Sequence, residues 1–121
     1  MTKLLVVDDE KNIRRLYETE LKGEGYEVAT AESAEEALEM IEKEPPDLVV
    51  LDIRLEGMDG IDALRTIMEK RRDLPVILNS AYSTYKQDFA SWMADAYVVK
   101  SADLTELKTT IKDVLKDRGK E

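Results

Sequence analysis

The chain has no cysteine and no histidine. Without thiols there is no disulfide framework and no thiolate metal site. Without imidazole, every mechanism that uses histidine as base, nucleophile or ligand is excluded. No apolar run approaches the roughly 20 residues that a membrane span needs. The N-terminal apolar run is too short for a signal peptide and is followed by acids, so the cytoplasm is the expected location and no membrane contact is expected. Cations are in the minority, with 18 Lys and Arg against 27 Asp and Glu and a formal charge of −9. Phosphate-backbone binding needs clustered Lys and Arg, so no direct nucleic-acid partner is expected. The one basic run, Lys70-Arg71-Arg72, is too short to change that. Aromatic residues make up 6%, and five of the seven crowd into the stretch from Tyr82 to Tyr97.

Hydrophobic residues at 43% and charged residues at 37% describe an ordinary globular domain, neither membrane-bound nor disordered. The length of 121 residues suits one domain able to bury roughly two-thirds of its unfolded surface. The organising stretch is Asp47-Leu48-Val49-Val50-Leu51-Asp52. Four branched aliphatics without alternation read as a strand buried on both faces, and the run stops on a carboxylate. Two more apolar runs end in charge: Leu4 to Val7 in Asp8-Asp9, and Val98-Val99 in Lys100.

Around these runs, periods of two and of 3.6 alternate along the chain. A first strand at Lys3–Val7 precedes a helix with Ile13, Leu16, Tyr17 and Leu21 on one face. Tyr26–Thr30 alternates as an edge strand does. Ser33 and Glu36 form a capping box for a helix burying Ala34, Ala37, Leu38 and Ile41. A third helix turns Ile61, Leu64, Ile67 and Met68 inward, after a loop that holds Gly57 and is bounded by Gly60. Val76–Leu78 is a fourth strand running into Asn79-Ser80. A short fourth helix is expected over Tyr82 to Met93, and a fifth strand over Ala96–Val99. Asp103 and Glu106 cap a last helix with Leu104, Leu107, Ile111, Val114 and Leu115 as its buried stripe. Five strands alternating with five helices imply right-handed crossovers and a parallel sheet covered on both faces.

In such a fold the strand ends share one edge, where α/β sheets bind ligands. Asp8, Asp9 and Asp52 then converge and repel one another, by several kcal/mol per close pair at an effective dielectric of about 20. Neutralising Asp8 or Asp9 is accordingly expected to stabilise the metal-free fold. A raised pKa or a hard divalent cation relieves the repulsion, and all-oxygen ligation suits Mg²⁺. Lys100 adds positive charge and Ser80 a hydroxyl donor. That surrounds one carboxylate with groups suited to a phosphoryl group, and an aspartate can itself be the phosphorylated nucleophile.

These residues, in this order at these strand ends, resemble the receiver domain of two-component response regulators, of the single-domain chemotaxis-regulator type. The resemblance covers essentially the whole chain, residues 1–121, and implies a flavodoxin-like doubly wound sheet of order 2-1-3-4-5 with no effector domain. It implies that Asp52 is the phosphoacceptor, served by a histidine kinase or phosphotransfer protein. Mg²⁺ is then held by Asp9, Asp52 and the Arg54 backbone carbonyl, with Asp8 acting mainly through water. Ser80 and Tyr97 resemble the switch pair, and Lys100 the lysine that pairs with the phosphoryl group. The output surface is implied to be the fourth helix, fifth strand and fifth helix, presented to an unknown downstream protein by a monomer or weak dimer. No enzyme is implied beyond phosphorylation and dephosphorylation of its own aspartate. An aspartyl phosphohydrolase usually has a second aspartate two residues after the nucleophile, where Arg54 stands here. A flavin site is disfavoured by two aspartates where a phosphate loop belongs. Ser101 follows the lysine where the family usually has proline.

Overall fold

The computed structural model describes residues 1–55, 57–81 and 93–120. The chain runs β1 (Lys3–Val7), α1 (Lys11–Gly23), β2 (Glu27–Ala31), α2 (Ala34–Lys43) and β3 (Leu48–Leu51). It continues as α3 (Gly60–Lys70), β4 (Val76–Ser80), β5 (Ala96–Val99) and α4 (Thr105–Asp117). The five strands form one parallel sheet in the order β2-β1-β3-β4-β5, as expected. Four helices stand among the described residues; the helix expected over Tyr82 to Met93 falls almost wholly outside them.

β3 lies at the centre because it can be buried on both sides, and its residues Leu48, Val49, Val50 and Leu51 are at most 1% exposed. Alternation divides the strands between two cores. Leu5, Val7, Val49, Leu51 and Leu78 pack with α2 and α3. Leu4, Val6, Leu48, Val50 and Ile77 pack with Tyr17 and Leu21 of α1 and with Leu107, Ile111 and Leu115 of α4. β2, with its mixed burial, lies at one edge.

Three local expectations are corrected. Leu16 is 40% exposed, because Tyr17 and Leu21 occupy the buried stripe of α1 and the preceding residue is rotated off it. At α2, Ser33 Oγ accepts from the Glu36 amide at 3.1 Å, but Glu36 reaches back to the Glu32 amide at 3.0 Å, one residue before the position a capping box uses. At α4, no box forms: Asp103 Oδ1 accepts from the Thr105 amide at 2.9 Å and the Thr105 hydroxyl at 2.6 Å. This local Asx-type turn delays the helix start to Thr105. The buried stripe of α4 is the expected one.

Candidate functional site

Parallel pairing brings the carboxyl ends of β1, β3, β4 and β5 to one edge, with Val7 opposite Leu51, Leu51 opposite Leu78 and Ser80 opposite Val99. The backbone of each residue just beyond the strands is still held by its neighbour. Asp8 N–H donates to Ala31 O at 3.1 Å, Asp52 N–H to Val7 O at 3.0 Å and Lys100 N–H to Ser80 O at 2.7 Å. The acidic and basic side chains are therefore placed by the sheet itself rather than by flexible loops.

One carboxylate oxygen from each of Asp8, Asp9 and Asp52 lies within 4.8 Å of the other two. Asp8 and Asp52 are buried, Asp9 is exposed, and Ser80 at the end of β4 is buried. Lys100 joins two of the acids, its Nζ 2.7 Å from Asp8 Oδ2 and 3.0 Å from Asp52 Oδ2. Burial pushes the Asp52 carboxyl above the usual carboxylate range; the neighbouring Asp8 adds to this, and Lys100 only partly offsets it. For Lys100, burial works against the charge, but the hydrogen bonds to Asp8 and Asp52 outweigh it and hold the ammonium above an ordinary lysine. Asp52 Oδ2 is thus fixed by Lys100. The other oxygen, Oδ1, accepts a long 3.3 Å bond from the amide of exposed Arg54.

Beyond β3, Gly60 packs tightly against the backbone of Asp52 and Ile53. Gly60 N–H donates to Ile53 O at 2.8 Å, and a Cβ on Gly60 would sit 2.1 Å from the Asp52 carbonyl oxygen. Only glycine permits that approach. Asp59 caps α3 by accepting from the Asp62 amide at 2.9 Å. Glu35, from the start of α2, accepts from the Met58 amide at 3.3 Å, beside Gly57 at φ 80°.

Of the residues expected at the site, the structure gathers Asp8, Asp9, Asp52 and Lys100 directly and places Ser80 at the same edge. Tyr97 is half-buried, opposite Leu78 in the ladder and packed on the α2–α3 side of the sheet. The aromatic residues Tyr82, Tyr85, Phe89 and Trp92 lie outside the described residues. Sequence reasoning missed the closure by Gly60 and a buried Tyr17–Asn79 hydrogen bond of 2.6 Å. A signal for the latter exists: an asparagine continues an otherwise apolar buried strand, and a tyrosine on a buried stripe needs a partner for its hydroxyl.

A five-stranded parallel sheet of this order, with acids after the first and third strands and a lysine after the fifth, is the architecture of a receiver domain. The family model for the response regulator receiver domain matches residues 4–112, and the chain belongs to that family. TrrA of Thermotoga maritima, crystallised in complex with Mg²⁺-BeF, is 49% identical over 95% of this chain and all of its own, with a TM-score of 0.92. In a second structure TrrA is in complex with the histidine kinase ThkA, at a TM-score of 0.90 with 95% of this chain and 99% of TrrA covered. A curated relative, the probable transcriptional regulator ycf27 of Porphyra purpurea, is 42% identical over 98% of this chain but only 49% of its own length. The chain spans about half the length of the first such curated relatives. No helix among the described residues is long and apolar enough to cross a membrane.

Proposed function

We propose that Asp52 is the phosphoacceptor of this receiver and takes its phosphoryl group from a histidine kinase or phosphotransfer protein. The observation that carries this reading is the buried Asp52, one oxygen held by Lys100, at the edge where Asp8 and Asp9 converge. The Asp52 oxygen attacks phosphorus as the bond from phosphorus to the donor nitrogen breaks, and that electron pair leaves with the donor. Water later attacks the aspartyl phosphate, releasing phosphate and restoring the carboxylate. Lys100 pairs with the phosphoryl oxygens and Ser80 donates its hydroxyl to one of them.

Three carboxylates with oxygens this close are a hard-donor set that fits Mg²⁺. Asp9, Asp52 and the Arg54 carbonyl would hold the ion directly and Asp8 mainly through water. When bound, Mg²⁺ supplies the positive charge that offsets both the carboxylates and the incoming phosphoryl group. TrrA, crystallised with Mg²⁺-BeF and with a histidine kinase, supports both halves of this reading.

The signal leaves through Ser80 and Tyr97, by movement of β5 and α4, toward a downstream protein; the expected fourth helix, also part of this reading, lies outside the described residues. Two packings biased by one modification are what a population shift requires. A cytoplasmic setting and a monomer or weak dimer belong to the same reading. The test is mass spectrometry after incubation with acetyl phosphate and Mg²⁺. Wild type is expected to gain one phosphoryl group, and Asp52→Asn or chelator to abolish the gain. Normal phosphorylation of Asp52→Asn at another residue would overturn the assignment.

A further inference from the structure

Helix α1 reaches the phosphoryl edge through a buried polar contact that the chemistry above does not use. Tyr17 and Asn79 are each 2% exposed. The Tyr17 hydroxyl donates to Asn79 Oδ1 at 2.6 Å, and Asn79 Nδ2 donates to the Val98 carbonyl at 2.9 Å. Two side-chain bonds therefore tie α1, β4 and β5 together inside an otherwise apolar cluster that includes Leu4, Val50, Ile77 and Ile111. Burial pushes the Tyr17 hydroxyl up to about 12, so it remains a protonated donor at neutral pH. Buried polar groups are costly wherever they are left unpaired, and apolar residues of similar size would fill this space without that requirement.

The location of the pair says what it does. Asn79 immediately precedes Ser80, and its ladder partner Val98 stands two residues before Lys100. The next link outward is the 2.7 Å bond from Lys100 N–H to Ser80 O. Successive side chains on a strand point to opposite faces, so Asn79 grips the ladder from the α1 side while Ser80 faces the other. The two strands that deliver the hydroxyl and the ammonium are thus clamped one rung before delivery, and the clamp is anchored on α1.

We propose that Tyr17 and Asn79 are a positioning pair, through which α1 sets where β4 and β5 place Ser80 and Lys100 for phosphoryl transfer. The proposal rests on the reading of Asp52 as the phosphoacceptor. Neither residue touches the phosphoryl group; both act through the strand ends.

The experiment separates positioning from packing. Tyr17→Phe leaves Asn79 Oδ1 buried without its donor, whereas the double variant Tyr17→Phe/Asn79→Leu removes both polar partners. The double variant is expected to regain in urea denaturation most of the stability lost by the single one. Its phosphorylation rate at saturating acetyl phosphate is nonetheless expected to stay at least about fivefold below wild type, as misplaced reacting groups require. Mg²⁺ affinity, set by Asp8, Asp9 and Asp52, should change by less than about twofold, well short of the loss that disturbing a metal's supporting shell causes. A double variant that is phosphorylated at the wild-type rate would overturn the proposal. The conservative Tyr17→Phe gives a second measurement in case the double variant does not fold. Its Ser80 and Lys100 backbone amide resonances should move more than that of Ala31, and unmoved resonances would also overturn the proposal. If wild type itself takes no phosphoryl group while those resonances still move, the reading of Asp52 fails and the clamp stands.

Discussion

Replacing Lys100 by methionine keeps the unbranched apolar stem and removes the terminal ammonium, which tests what that charge does at the strand ends. At 2.7 and 3.0 Å from Asp8 and Asp52, it contributes gross attractions of about 6 and about 5.5 kcal/mol at an effective dielectric of about 20. Desolvation of the buried charges offsets several kcal/mol of that. Without Lys100, two buried carboxylates no more than 4.8 Å apart repel by roughly 3.5 kcal/mol at the same dielectric. Breaking a buried pair on one side typically costs about 3–5 kcal/mol, and that is the destabilisation expected for Lys100→Met at neutral pH in chelator.

The pH dependence has a definite sign. The Lys100 pKa is raised above 10.5, so its stabilising contribution is fully present below that value and is lost only as pH rises through the folded value. Wild type should show no loss on this account between about pH 5 and about pH 8. The Asp52 pKa is raised above 3.8 by burial. The fold therefore favours its protonated form, a contribution complete below 3.8 and lost as pH rises through the folded value. Without Lys100 that folded value rises further, so the deficit of the variant should shrink on acidification from about pH 8 to about pH 5. Mg²⁺ should stabilise Lys100→Met by more than it stabilises wild type, because more uncompensated charge awaits it. Urea denaturation across this range, with chelator and with Mg²⁺, checks all three statements. A variant within about 1 kcal/mol of wild type at neutral pH, the median scale of an exposed pair, would refute the reasoning.

The acidic pair Asp8-Asp9 should behave unequally. Neutralising exposed Asp9 in chelator is expected to raise stability by up to about 1 kcal/mol through relief of repulsion. Asp8→Asn is expected to lower it by about 1–3 kcal/mol, because it weakens a buried charge-assisted bond to Lys100. A denaturation series in which Asp8→Asn is the more stable variant would contradict this. Gly60→Ala forces a Cβ against the Asp52 carbonyl, where backbone rather than a flexible side chain must yield. A loss of at least about 3 kcal/mol, at the upper end for overpacking, should appear in thermal or urea melts; a variant as stable as wild type would show that the loop relaxes freely.

Much of this protein is written in local pattern. The unbroken aliphatic run at Leu48–Leu51 names a strand buried on both faces, and the alternation before Ala31 names an edge strand. The repeated change of period implies the parallel order. Because parallel strands end together, the aspartates after β1 and β3 and the lysine after β5 are bound to meet. Strand pattern and topology alone therefore imply that these side chains share one edge, and the buried stripes of α2, α3 and α4 follow from 3.6-residue spacing.

Other features depend on which atoms meet across elements, and no local pattern carries that information. The sequence placed Asp8 and Asp9 together as equivalent sources of repulsion. The structure separates them, because the ladder turns Asp8 inward onto Lys100 and leaves Asp9 outside. Leu16 fits the helical spacing as well as Tyr17 does, but the rotation of α1 on the sheet buries Tyr17 instead. The contact between Tyr17 and Asn79 spans 62 residues, and the fit of Gly60 against Asp52 needs the loop already closed. Periodicity along the chain determined which residues reach the carboxyl edge of the sheet, since it depends only on neighbours in sequence. Tertiary packing decided how their charges and hydrogen bonds pair there, since that depends on distances between elements the chain brings together only on folding.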